Sequence, residues 1–96
     1  MSKTQVLGLI EPAAVPSGVL TASSLDWGVT VDAYLIGAAR MGDRYAAQAY
    51  LDRSGEIRDG MTVVTPEVTQ VSRKGGFLMV RSVSQKDHYV IVTEQS

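Results

Sequence analysis

Ninety-six residues, 45% hydrophobic and 20% charged, describe one domain of ordinary globular composition, without the low hydrophobicity of a disordered chain or an apolar run long enough to span a bilayer. The formal charge is −1, with 5 basic and 7 acidic side chains over residues 1–60 and 4 basic and 3 acidic over 61–96, so no block of charge attracts nucleic acid or an anionic membrane in general. The absence of cysteine removes disulfides, thiolate catalysis and cysteine-bound zinc together.

The start, MSKTQVLGLIEP, is too short in apolar residues for a secretory leader, which leaves a cytoplasmic location as the expectation. Gln5–Ile10 reads as a short strand ended by Glu11-Pro12. The segment PAAVPSG then punctuates the chain as a loop, and Val19-Leu20-Thr21 follows as a brief returning strand. Ser23 to Gly28 resembles a helical turn with a serine cap, its Trp27 plugging one end of the core.

Thr30 to Asp52 carries the one long helical pattern. At 100° per residue, Met41, Tyr34, Tyr45, Ala38, Val31, Ala49, Gly42, Leu35, Ala46 and Ala39 share an arc of roughly 160°. Arg40, Arg44, Asp43, Asp32 and Gln48 take the other side, Thr30 serves as N-cap, and Arg53 with Gly55 closes the far end. Gly42 interrupts this pattern, because Met41-Gly42-Asp43 can also end one helix and cap another. The phase continues across it, which favours one helix over residues 31–52.

Arg53 to Gly60 is a polar connector, after which the period becomes extended. MTVVT, VTQVS, FLMVRSV and HYVIVT form four strands in a meander of hairpins, broken by Pro66-Glu67, by Lys74-Gly75 or its neighbours, and by Ser84 to Asp87. Pairing Val83 with His88 puts Leu78, Val80, Tyr89 and Ile91 on one side of the last hairpin. Phe77, Met79, Val83, Val90 and Val92 take the other with Arg81 and His88, and a Lys74-Gly75 turn would add Val71 to the first side and Val68 to the second.

Neither side alternates with polar residues as a half-wet sheet should, so the second needs a cover. The expected architecture is α+β: an antiparallel meander of four to five strands packed on one long helix, or a small barrel with that helix outside. In the open form, the cover is a second copy or another protein.

Chemistry is sparse. His88, the sole histidine, stands beside Asp87 as the one conceivable acid/base pair of a small enzyme, but a lone histidine near a hairpin end is ordinarily structural. Asp26, Asp32, Asp43, Asp52, Glu56 and Asp59 form no ordered ligand loop, and no phosphate-cradling glycine motif or G-x-S-x-G occurs, so neither metal nor cofactor is expected. Arg73, Lys74, Arg81 and Lys86, with Phe77 and Tyr89 nearby and His88 as a further candidate, suggest a surface for nucleic acid or a small ligand, although four basic side chains are few and Phe77 and Tyr89 face opposite sides. Ile36, Ala47, Tyr50 and Leu51 interrupt the charged side of the expected helix and, with Phe77 and Met79 on the uncovered sheet side, make the favoured contact surface. The resulting expectation is a non-enzymatic interaction or accessory protein that binds a protein partner, as a homodimer in its simplest form.

Overall fold

The structure, a computed structural model, describes residues 14–95. The expected strand Gln5–Ile10 lies outside them. A short helix, α1 (Ser17–Ser23), is followed by β1 (Ala33–Met41), β2 (Arg44–Tyr50), β3 (Met61–Val64), β4 (Val68–Lys74), β5 (Phe77–Ser82) and β6 (His88–Ile91). The strands form one mixed sheet in the order β3-β2-β1-β6-β5-β4, in which β1 and β6 are parallel and every other pair is antiparallel. The class is α+β as expected, but there is no long helix among the described residues.

Thr30–Asp52 is instead the β1–β2 hairpin. Met41 pairs with Arg44 across a two-residue loop, and Gly42 takes a φ of +63° at its first position, as a type II′ turn demands. A second irregularity falls between Ile36 and Ala39, where Gly37 has a φ of +65° and donates its N–H to Thr93 Oγ1 at 2.8 Å. A helix would be interrupted at both glycines. The alanines that imitate a helical face serve the concave side of a curled sheet: Ala38, Ala47 and Ala49 are small enough to leave room for Leu35, Tyr45, Leu78, Val80 and Ile91.

Val19-Leu20-Thr21, expected as a strand, belongs to α1. Its buried side chains, Val19 and Ala22, pack on Tyr34, Tyr50, Val90 and Val92 of the convex face, with Trp27 and Phe77 at the margin. Gly18 permits this approach, since a Cβ there would stand only 2.9 Å from Val92 Cγ1. The cover required by the second sheet side therefore comes from the same chain. Met79 and Val90, on that side, are 3% and 0% exposed, which removes the packing argument for a second copy.

The four C-terminal strands lie where the extended pattern placed them, with changes of register. Arg81, not Val83, pairs with His88. Ser82 sets this loop: its Oγ accepts the Lys86 and Asp87 amides at 3.1 and 3.0 Å, and its own N–H donates to the Asp87 carbonyl. A shift of two residues preserves the faces, so Leu78, Val80, Tyr89 and Ile91 do share the concave side. In β4 the assignment reverses. Lys74 pairs with Phe77 around Gly75-Gly76, and the register slips at Val71, so Val68 joins the concave cluster and Val71 is exposed.

The meander is also broken, because β3 and β4 are consecutive in sequence yet occupy opposite edges of the sheet. Only Thr65-Pro66-Glu67 joins them, so the sheet must curl until its edges approach at that end. Thr65 N–H donates to Tyr45 O at 2.9 Å and Val68 N–H to Asp43 O at 2.8 Å. No ladder joins β3 to β4, and the expected alternative of a closed barrel does not form. Among the described residues no helix is long and apolar enough to cross a membrane.

Candidate interaction surface

Loss of the long helix disperses the surface expected from it. Ala47 is buried on the concave face, while Tyr50 and Met79 are buried elsewhere in the sheet. Ile36 and Phe77 are half-buried beside the α1 layer, and Leu51 is exposed with a left-handed φ of +56°. These six residues form no common patch.

The basic residues are separated as well. Arg73 pairs with Glu94 at 3.8 Å, both side chains well exposed. Lys74 lies 5.7 Å from the centroid of Trp27 and donates to the Asp26 carbonyl. Arg81 and His88 do meet as cross-strand neighbours, and the Arg81 Nε is buried without a hydrogen-bond partner. His88 is fixed by its backbone, its N–H donating to Asp32 Oδ2 and its carbonyl accepting the Asp32 N–H, each at 2.8 Å.

The concave face contains what the pattern did not indicate. Between β1, β2, β3 and β6 lies a cavity of about 210 Å³, with Leu35, Ala49, Ile57 and Val63 in its apolar wall. Asp32, Asp52, Asp87, Arg53 and Tyr89 also contribute to its lining. Parallel pairing of β1 with β6 brings the loop residue Asp87 beside Asp32, which lies 55 positions earlier, an adjacency that no local motif signals. Asp32 Oδ1 is 3.3 Å from Arg53 Nε.

Asp52 organises its own loop. Its Oδ2 accepts the Ser54 hydroxyl at 2.5 Å and the Glu56 and Ile57 amides at 3.1 Å each. The Ser54 hydroxyl, the largest influence, holds its carboxyl below the usual carboxylate range; burial opposes it, and the Ile57 and Glu56 amides add smaller lowering effects. The Asp87 carboxylate, by contrast, makes no hydrogen bond or ion pair among the described residues. Burial, reinforced by the charges of Asp87, Asp32 and Asp52, pushes the Tyr89 hydroxyl up to about 12. The cavity lining therefore combines apolar side chains with three carboxylates and one guanidinium. A second cavity of about 240 Å³, at the β1–β2 turn, mixes Arg40 and Asp43 with Tyr45, Val68 and Gln70.

Among the described residues, the two outer edges of the sheet differ. Edge strand β4 carries an irregularity at Val71, ends in Arg73 and Lys74, and already gives its Val68 N–H to Asp43. Edge strand β3 has neither charge, proline nor bulge along Met61-Thr62-Val63-Val64. Met61 and Val64 are 48% and 56% exposed. Because Thr65 N–H points to β2, strand alternation turns the N–H and C=O groups of Thr62 and Val64 outward. The cavity adjoins this edge, since Val63, Val64 and Thr65 line it.

No group of three or more histidine or carboxylate side chains among the described residues is placed to hold a metal ion. Compared with known protein families, with curated proteins and with solved structures, the chain matches none.

Proposed function

We propose that the protein is a non-enzymatic interaction domain that receives an extended segment of a partner protein along β3. One observation carries this reading: β3 is an uncharged, unbulged edge whose outward backbone groups meet no protective device among the described residues beyond its length of four residues. A strand added there would satisfy the donors and acceptors of Thr62 and Val64 and cover Met61 and Val64. Homodimerisation is the second reading, favoured by the same absence of charge, which lets two copies of β3 pair antiparallel about a two-fold axis without like charges in contact along the strands.

Selection of displayed random peptides, followed by amide chemical-shift mapping, tests the proposal. Shifts centred on Thr62 and Val64, abolished by Thr62→Pro, are the expected result. Proline at this position deletes an outward N–H and leaves the bonds to β2 in place. Shifts confined to other parts of the surface, or binding untouched by Thr62→Pro, would overturn it. Sedimentation at tens of micromolar decides the second reading, because a species of only about 10 kDa excludes a dimer of useful affinity.

A further inference from the structure

We infer that the acid-lined cavity beside β3 receives a lysine-like alkylammonium group, supplied by the partner protein as one basic side chain of its docking segment. The inference deepens the strand-addition reading and rests on it for the source of that side chain.

Its first ground is shape. At about 210 Å³ the cavity falls below the roughly 300–1,000 Å³ usual for drug-sized ligands and suits a single long side chain. Its second is the composition of its lining. Leu35, Ala49, Ile57 and Val63 offer apolar surface to methylene groups, whereas Asp32, Asp52 and Asp87 bring three carboxylates against the one guanidinium of Arg53. A lysine side chain combines the complementary parts, four methylenes and a terminal positive charge.

Its third ground is that the charges are unequally used. Asp52 caps its own loop and Asp32 is bonded to His88 and Arg53, but the Asp87 carboxylate has no partner among the described residues. Arg53, the one cation lining the cavity among the described residues, has its nearest carboxylate contact at 3.3 Å, to Asp32, and its side chain is 64% exposed, so it leaves Asp87 uncompensated. Position supplies the last ground. Neighbouring strands lie about 4.8 Å apart, so a residue pointing to the concave side from a strand added to β3 starts next to Val63.

The probe is n-butylammonium, with 1-butanol and butyrate as neutral and anionic controls, read through the methyl resonances of Leu35, Ile57 and Val63 in the full-length protein. Saturable shifts are expected for the ammonium at millimolar concentration, with butanol weaker by about tenfold and butyrate without effect. Asp87→Asn, which removes charge without removing a hydrogen bond, should weaken the ammonium about threefold to tenfold and leave butanol unchanged. Equal binding of butanol and butylammonium, no shift of the cavity methyls, or indifference to Asp87→Asn would each overturn the inference. None of these outcomes depends on strand addition, which is read separately at the Thr62 and Val64 amides. Selected peptides that bind the β3 edge without preferring lysine or arginine would leave the edge function standing and remove this site from it.

Discussion

Lys74 sits over the indole of Trp27, its ammonium 5.7 Å from the ring centroid, and donates to the carbonyl of Asp26 next to it. The tip of the β4–β5 hairpin is thereby fastened to the segment leading from α1 into β1. Leu25 adds to the contact, since a Cβ at Gly75 would meet its Cδ1 at 3.3 Å. A residue that the sequence offers as a contact for nucleic acid or a small ligand is here a fastening between two parts of the same chain.

Lys74→Met keeps the aliphatic stem and removes the charge. The expected loss is about 0.5–1 kcal/mol, the usual contribution of a cation over an exposed ring, seen as a lower urea midpoint with unchanged slope. Trp27 fluorescence should move to the red as its ring is uncovered. An unchanged midpoint would show that the fastening contributes nothing to stability.

Gly42→Ala separates the hairpin from the helix that the angular pattern suggests. In a helix interior the substitution would stabilise by about 1 kcal/mol. At a φ of +63° with no atom near the added Cβ, it should destabilise by about 1–2 kcal/mol from backbone strain alone. The sign of the change in thermal midpoint is the measurement.

Thr65 is 2% exposed and joins the two edges of the sheet. Its Oγ1 accepts the Tyr45 N–H at 3.0 Å and donates to the Pro66 carbonyl at 2.8 Å. Thr65→Val preserves volume and leaves both groups without that partner, so chemical denaturation should report a loss of about 1–3 kcal/mol.

Tyr89 makes stability fall at alkaline pH. Its hydroxyl rises from an ordinary 10.0 to about 12 in the folded protein, chiefly through burial. The unfolded chain therefore releases this proton first. Any contribution is intact below pH 10 and is lost as the pH climbs toward 12. Tyr89→Phe should flatten the decline between these limits in denaturation profiles at a series of pH values. A decline equal to that of the parent protein would place its origin elsewhere.

The C-terminal strands were legible because their side chains are sorted with period 2, so an error of two positions at His88 left the faces intact. The one-residue irregularity at Val71 was not legible, and it reversed the faces assigned to Val68 and Val71. The β1–β2 hairpin was misread for a different reason. Both faces of these strands are covered over much of their length, Leu35 on one and Tyr34 on the other, so no polar alternation marks them. The run Arg40-Met41-Gly42-Asp43-Arg44 held the available signal: charges concentrated at the centre of the segment mark a hairpin tip better than one side of a helix.

By itself, the sequence determined that residues 61–94 would be mainly extended, which side chains of the last two strands share a face, and that both faces need cover. These properties follow from local alternation and from the quantity of aliphatic surface, and both are written residue by residue. Tertiary structure alone decided that the cover is α1, that β1 and β6 run parallel, and that Asp32, Asp52 and Asp87 surround one cavity beside a free edge. Each of these joins segments far apart in the chain, and their pairing depends on how the curled, open sheet fills space, to which no single window of sequence has access.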